Sequence, residues 1–352
     1  MKKSFLGKVL VIAALSFLAV SCIKDNSSTG KNAKVAVLLP NDAVVDRWAT
    51  DMANLKSVMG MYGFNTTYYT APETPEGADQ QVEQLREAIQ GGAKYIVLTA
   101  IDYKKINASG ILEKYPDVKV VCHDRLVLDN PRIAYISSTD TREVGRMQAM
   151  FLLNHFHSSG AMNMTLEILQ GPDTDVNARE YYEGAMELLR KYIDNGIIYV
   201  KSGKTSYEQV KSASWDIAAG RMAMQERLNS YQGLQLPDMI LAANDNLAQG
   251  AIEAMALAGH PLFIPVITGQ DNTVMGQENI KNMLQAMTID KNLTDMAYNT
   301  ALIINSLVSG SPVQTSECIS AGSVKIPAIY SKLTLKTVDH CCPLKVVDGV
   351  KS

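Results

Sequence analysis

The chain has 352 residues, with 33 Lys or Arg against 36 Asp or Glu, a net charge of −3 and no block of like charge. That balance leaves no electrostatic footprint for nucleic acid or for an anionic lipid surface. The five cysteines contain no Cys-x-x-Cys pair and the five histidines are scattered, so neither a metal nor a cofactor is expected.

At the N-terminus, Lys2 and Lys3 precede a predominantly apolar run over 5–20, and Ala19-Val20-Ser21 closes it directly before Cys22. This is the layout of a bacterial secretory signal, and the run is short for a membrane span of about 20 apolar residues. Residues 1–21 are therefore expected to be a signal peptide and Cys22 a lipidation site, with 22–33 a polar tether. The mature chain is then held at the cell envelope by its lipid anchor, on the periplasmic face or the cell surface. Cys122 falls in an apolar strand pattern and reads as a buried thiol. Cys318 lies close in sequence to the vicinal Cys341 and Cys342, and an oxidising compartment leaves a link to either one open.

About 330 mature residues exceed one core of roughly 100–200 and suit two lobes. Strands are predicted at 35–39, 65–70, 95–99 and 118–122, alternating with helices at 44–62, 78–90 and 104–114. After a link at 136–140 the rhythm restarts with a helix at 143–155, a strand at 164–169 and a helix at 178–195. A strand at 197–200, a helix at 207–228, a strand at 239–242, a helix at 247–258 and a strand at 266–268 follow. A strand at 286–290, a helix at 293–308 and a strand region at 324–337 complete the pattern. The strands are continuous apolar runs, as expected where helices cover both faces; the fold class is α/β, with two doubly wound parallel-sheet lobes.

Such sheets bind ligands beyond the carboxyl ends of their strands. The residues there are Asp46-Arg47-Trp48, His123-Asp124-Arg125, a 171–177 turn with Asp175 and Asn177, Asn244-Asp245-Asn246, Gly269-Gln270-Asp271 and Asp290-Lys291-Asn292. Carboxylates accept, guanidinium forks donate and amides do both, which suits a ligand rich in hydroxyls such as a monosaccharide. Asp and Asn at these places also cap helices, Asp245 being a good cap. Arg47 and Arg125 are neither caps nor turn formers and carry the sharper signal. Trp48 and Trp215 are the tryptophans available to cover an apolar sugar face, or simply to pack. Read as a glycosidase, the chain would offer Asp124 and Asp271 as its carboxylate pair, but Arg125 beside Asp124 would hold that acid ionised. A transcriptional regulator would need a leading helix-turn-helix, where this chain has a secretion signal.

In this order the motifs resemble those of the type I periplasmic sugar-binding proteins, the ribose-, galactose- and xylose-binding family, the xylose-binding branch most of all. There the equivalent segments read as an acidic residue plus Arg-Trp, then Tyr-Asp-Arg, Ser-Asn-Asp and Gly-Gln-Asp. The resemblance spans about 34–339. It implies that Arg47, Asp124 and Arg125 contact a sugar from the first lobe, with Trp48 beside them. Asn177, Asn244 and Asp271 would do so from the second, Asp175 matches an acidic family position, and Lys291 enters from a hinge crossing. His123 departs from the family's aromatic and Val176 from its Asn, while Trp215 or Tyr207 stands near its second-lobe tryptophan. The resemblance further implies a three-strand hinge crossing near Ser138, Asp290 and Lys325. The N-terminal lobe would then be 34–138 plus 290–324 and the C-terminal lobe 139–289 plus 325–340, followed by a 341–352 tail. The implied protein is a non-catalytic monomer that hands its ligand to a membrane permease or a sensor.

Overall fold

The computed structural model describes residues 32–233, 235–259 and 264–338. The expected signal peptide, Cys22, nearly all of the tether, Cys341, Cys342 and the tail lie outside the described residues.

The first sheet has seven strands: β1 Lys34–Pro40, β2 Asn65–Ala71, β3 Tyr95–Leu98, β4 Lys119–His123, β5 Ile133–Ser138, β11 Glu317–Ala321 and β12 Val324–Tyr330. Their order is β11-β12-β5-β4-β3-β1-β2, parallel except for the antiparallel β11–β12 edge. Alternate residues of β1 feed different cores. Ala36 and Leu38 pack with Val82, Leu85 and Ile89 of α2 (Pro75–Gln90). Val35, Val37 and Leu39 pack with Leu55 and Met59 of α1 (Arg47–Tyr62) and with Ala301 and Ile304 of α11 (Leu293–Ser309). Both faces are covered, and this is why the strand reads as an unbroken apolar run.

The second lobe holds a four-stranded parallel sheet, ordered β7-β6-β8-β9, from β6 Met164–Leu169, β7 Ile198–Tyr199, β8 Met239–Ala242 and β9 Val266–Ile267. An antiparallel pair, β10 Met287–Asp290 with β13 Thr334–Thr337, adjoins it. Helices α5 Thr141–Ser159, α6 Val176–Asp194, α8 Ile217–Leu228 and α9 Asp245–Leu257 supply one continuous core with these strands.

The structure departs from the predicted elements in identifiable ways. The helix predicted over 104–114 is two, α3 Tyr103–Ala108 and α4 Ile111–Lys114, divided at Gly110 with φ 60°. The helix predicted over 207–228 keeps only α7 Tyr207–Val210 and α8. Ser212 N donates to Gln170 O across an isolated bridge, and Asp216 caps the restart through Ala219 N. The link predicted at 136–140 begins inside a strand, because β5 pairs with both β4 and β12. An edge strand, β11, and a helix, α10 Val274–Lys281, were not anticipated. The third crossing, expected near Lys325, falls at 331–333: β12 pairs with β5 as far as Tyr330, and β13 is the next strand.

Helices α5 and α6 touch along glycines. A Cβ on Gly145 would lie 2.0 Å from the Tyr181 carbonyl oxygen, and one on Gly184 the same distance from that of Arg142. Gly145→Ala must push two backbones apart and is expected to lower urea stability by about 1–3 kcal/mol; an unchanged midpoint would contradict this packing.

Candidate functional site

Arg47 opens α1, and Asp124 and Arg125 follow β4. Asp124 is held at φ 66° while its N–H donates to Ser137 O. Asp271 follows β9 at φ 91°, its N–H donating to Ile289 O. Left-handed backbone on a non-glycine residue costs of order 1–3 kcal/mol and clusters where a side chain must be aimed. Both carboxylates reach the same cation. Arg47 Nη1 lies 3.3 Å from Asp124 Oδ2 and 3.4 Å from Asp271 Oδ1, while Nη2 lies 2.6 Å from Asp51 Oδ2. Lys291, directly after β10, places Nζ 3.3 Å from Asp124 Oδ1 and 3.2 Å from Asp271 Oδ1.

Arg125 makes a second bridge. Its Nη1 is 2.6 Å from Glu73 Oε1 and its Nε 2.8 Å from Asp175 Oδ2; the latter is an ion pair whose N–H misses the oxygen. Arg47–Asp271 and Arg125–Asp175 therefore each tie the first lobe to the second. Asn246 Nδ2 donating to Val44 O at 2.9 Å and Asn177 Nδ2 donating to Asp124 O at 3.2 Å add two neutral ties. Trp48 is the apolar counterpart. It comes from α1 yet packs, 1 % exposed, within the second lobe's core cluster. The Arg47 and Arg125 guanidiniums lie 4.3 and 4.9 Å from its ring centre, and its Nε1 donates to Glu73 Oε2.

The charges stay on. Burial by itself would raise the Asp124 carboxyl, but Arg47, Lys291 and Arg125 hold it well below the usual range. Burial likewise opposes the Lys291 ammonium, as does Arg47, yet Asp124 and Asp271 keep its pKa above the ordinary value. Asp175 is raised, because burial outweighs its pairing with Arg125.

These groups surround a small cavity. Arg47, Trp48, Asp124, Arg125, Asp175, Asn244, Asp271 and Lys291 line it, as do Val45, Tyr181, Trp215 and Gln270. Asn177 does not; its amide is spent on the Asp124 carbonyl. Asp175 is heavily committed, accepting from Asn177 N and Trp215 Nε1 besides its ion pair. Asn244, not Asp245, caps α9 by accepting from Leu247 N. Gln270 stood in a motif already noted at a strand end. Tyr181, Asp51 and Glu73 were not singled out: the first two lie inside helices, and Glu73 follows the edge strand β2. Arg47 Nε and Gln270 Oε1 are buried with no hydrogen-bond partner in the protein. Among the described residues no three His, Cys, Asp or Glu side chains are grouped to hold a metal, and no helix is long and apolar enough to cross a membrane.

A profile of the periplasmic binding protein domain matches residues 35–312. The chain belongs to the periplasmic binding protein family. Within this family, the multiple sugar-binding periplasmic receptor ChvE of Rhizobium radiobacter is 27 % identical over 330 residues, covering 92 % of this chain and 91 % of that one. The D-xylose-binding periplasmic protein of Escherichia coli K12 is 25 % identical over 300 residues, covering 85 % and 84 %. Among solved structures, a Clostridium phytofermentans ABC transporter solute binding protein with bound β-D-glucose superposes with a TM-score of 0.81 at 25 % identity, over 86 % of this chain and 94 % of that one. The two-lobed type I periplasmic binding protein fold is common to both.

Asp245 holds the loop that carries Asp271, accepting from Thr273 N, Thr273 Oγ1 and Gln285 Nε2 at 2.8–3.0 Å. Burial pushes its carboxyl up to about 7, against about 3.9 in an unfolded chain. A raised folded value contributes stability that is fully present below about pH 4 and lost as pH rises through about 7. The urea stability of the wild type relative to Asp245→Asn is therefore expected to fall from about pH 5 to about pH 8. A difference independent of pH would contradict the assignment.

Proposed function

We propose that the chain is a solute-binding lipoprotein that captures one monosaccharide, a xylose-like pentose or related aldose, between its lobes and passes it to an ABC-type transporter. The observation that carries this reading is the lining of the cavity. Cations and carboxylates from both lobes converge on it, and a buried donor, Arg47 Nε, and a buried acceptor, Gln270 Oε1, are left without protein partners. A sugar hydroxyl donates and accepts at once and answers both needs, and unpaired buried polar atoms are costly otherwise. Trp48, Trp215 and Tyr181 supply ring surface for the carbon faces.

The relatives point the same way: a multiple-sugar receptor, a xylose-binding protein and a glucose-bound solute binding protein of an ABC transporter. The chain then acts as a non-catalytic monomer. The ligand favours closure because groups of both lobes reach it only when the lobes meet. Anchoring through Cys22 would keep it beside its permease at the envelope.

Calorimetry against a panel of free pentoses and hexoses is expected to find at least one that binds at micromolar or better affinity. Arg125→Ala is expected to cost about 2 kcal/mol, roughly 30-fold, since it strands Glu73 and Asp175 as well as the ligand. No binding across the panel, or unchanged affinity in the variant, would refute the reading.

A further inference from the structure

Arg47 is anchored by a buried chain that does not reach the cavity. Its contact with Asp51 is, at 2.6 Å, the shortest of its three. Asp51 lies one helical turn further along α1 and is fully buried, and neither it nor His123 lines the cavity. The other Asp51 oxygen, Oδ1, faces His123 Nε2 at 3.2 Å, and His123 Nδ1 lies 2.7 Å from Thr300 Oγ1 on α11. A carboxylate only accepts, so the facing Nε2 carries a hydrogen. His123 and Thr300 are both 0 % exposed. The chain runs from α11 through the end of β4 into α1, three separate elements of the first lobe, and meets the cavity only through Arg47.

We infer that Asp51, backed by His123 and Thr300, is the positioning residue of Arg47. It fixes the guanidinium fork so that Nη1 meets Asp124 and Asp271 while the unpartnered Nε is left for the ligand. An arginine has many rotamers, and one already locked removes its ordering cost from the binding step. Without its counter-charge the Arg47 head has only the two longer contacts, both to carboxylates that also serve Lys291. The inference rests on the monosaccharide reading, because it takes Arg47 as a ligand contact.

The test is a double-mutant cycle with two readouts, calorimetric affinity for whichever monosaccharide the wild type binds and melting temperature without sugar. Asp51→Asn alone is expected to weaken sugar binding tenfold or more and to lower the melting temperature. In an Arg47→Gln background the buried Asp51 carboxylate has lost its counter-ion, so the same change should raise the melting temperature and leave affinity where Arg47→Gln put it. His123→Gln, which keeps a donor toward Asp51, should retain more affinity than His123→Phe. Wild-type affinity in Asp51→Asn, or effects of the two changes that simply multiply, would overturn the inference while the sugar reading stood. A wild type that binds no monosaccharide would overturn the sugar reading and this inference together, and the sign of the melting shift would still report on the Arg47–Asp51 pair.

Discussion

Arg47, Arg125 and Lys291 are 5 %, 4 % and 3 % exposed, and each must be neutralised inside the cleft. Taking a charge out of water costs several kcal/mol unless well-placed partners offset it. The partners here are Asp51, Asp124, Asp271, Glu73 and Asp175, of which Asp271 and Asp175 belong to the second lobe. The arrangement of the lobes is thereby coupled to the state of these charges. Buried pairs of this kind contribute little net stability compared with apolar groups of the same size. What they provide is a defined relative position for the two polar sets, and that is the requirement of a site assembled from two halves.

The apolar part of the closure is concentrated in Trp48. Fully burying such a ring removes about 150–250 Å² from water, worth of order 4–6 kcal/mol before ordering costs. The ring comes from α1 and packs among second-lobe residues as well as against the first-lobe guanidiniums of Arg47 and Arg125, so part of that gain requires the lobes to meet. The same residue therefore lines the cavity and bridges the two lobes. Trp215, which also lines the cavity, packs against Gly171, where a Cβ would fall 2.2 Å from the indole.

Much of this was legible in the residues themselves. Unbroken apolar runs such as Val35 to Leu39 announce strands covered on both faces, and Arg47 and Arg125 after strands resist any reading as caps or turn formers. Other features depend on contacts between residues distant in the chain. β5 looked like a link because one of its two partners, β12, comes from the far C-terminal part of the first lobe. The third crossing was placed six residues early because 324–337 reads as one β-rich stretch, while the break at 331–333 is set by which sheet each half joins. Asp51 sits inside a helix, where an acidic residue usually faces solvent, and only the Arg47 spacing of one turn hinted at its role. Asn177 and Asp175 show the converse: residues of suitable chemistry at the expected turn, whose hydrogen bonds are largely spent within the protein.

The most direct measurement is a crystal structure of the protein grown with an aldose. The account predicts ring density in the cavity, with hydroxyls within hydrogen-bonding distance of Arg47 Nε, Gln270 and Asp271, and first- and second-lobe groups on the same molecule. Sugar bound anywhere else, or held by one lobe alone, would contradict it.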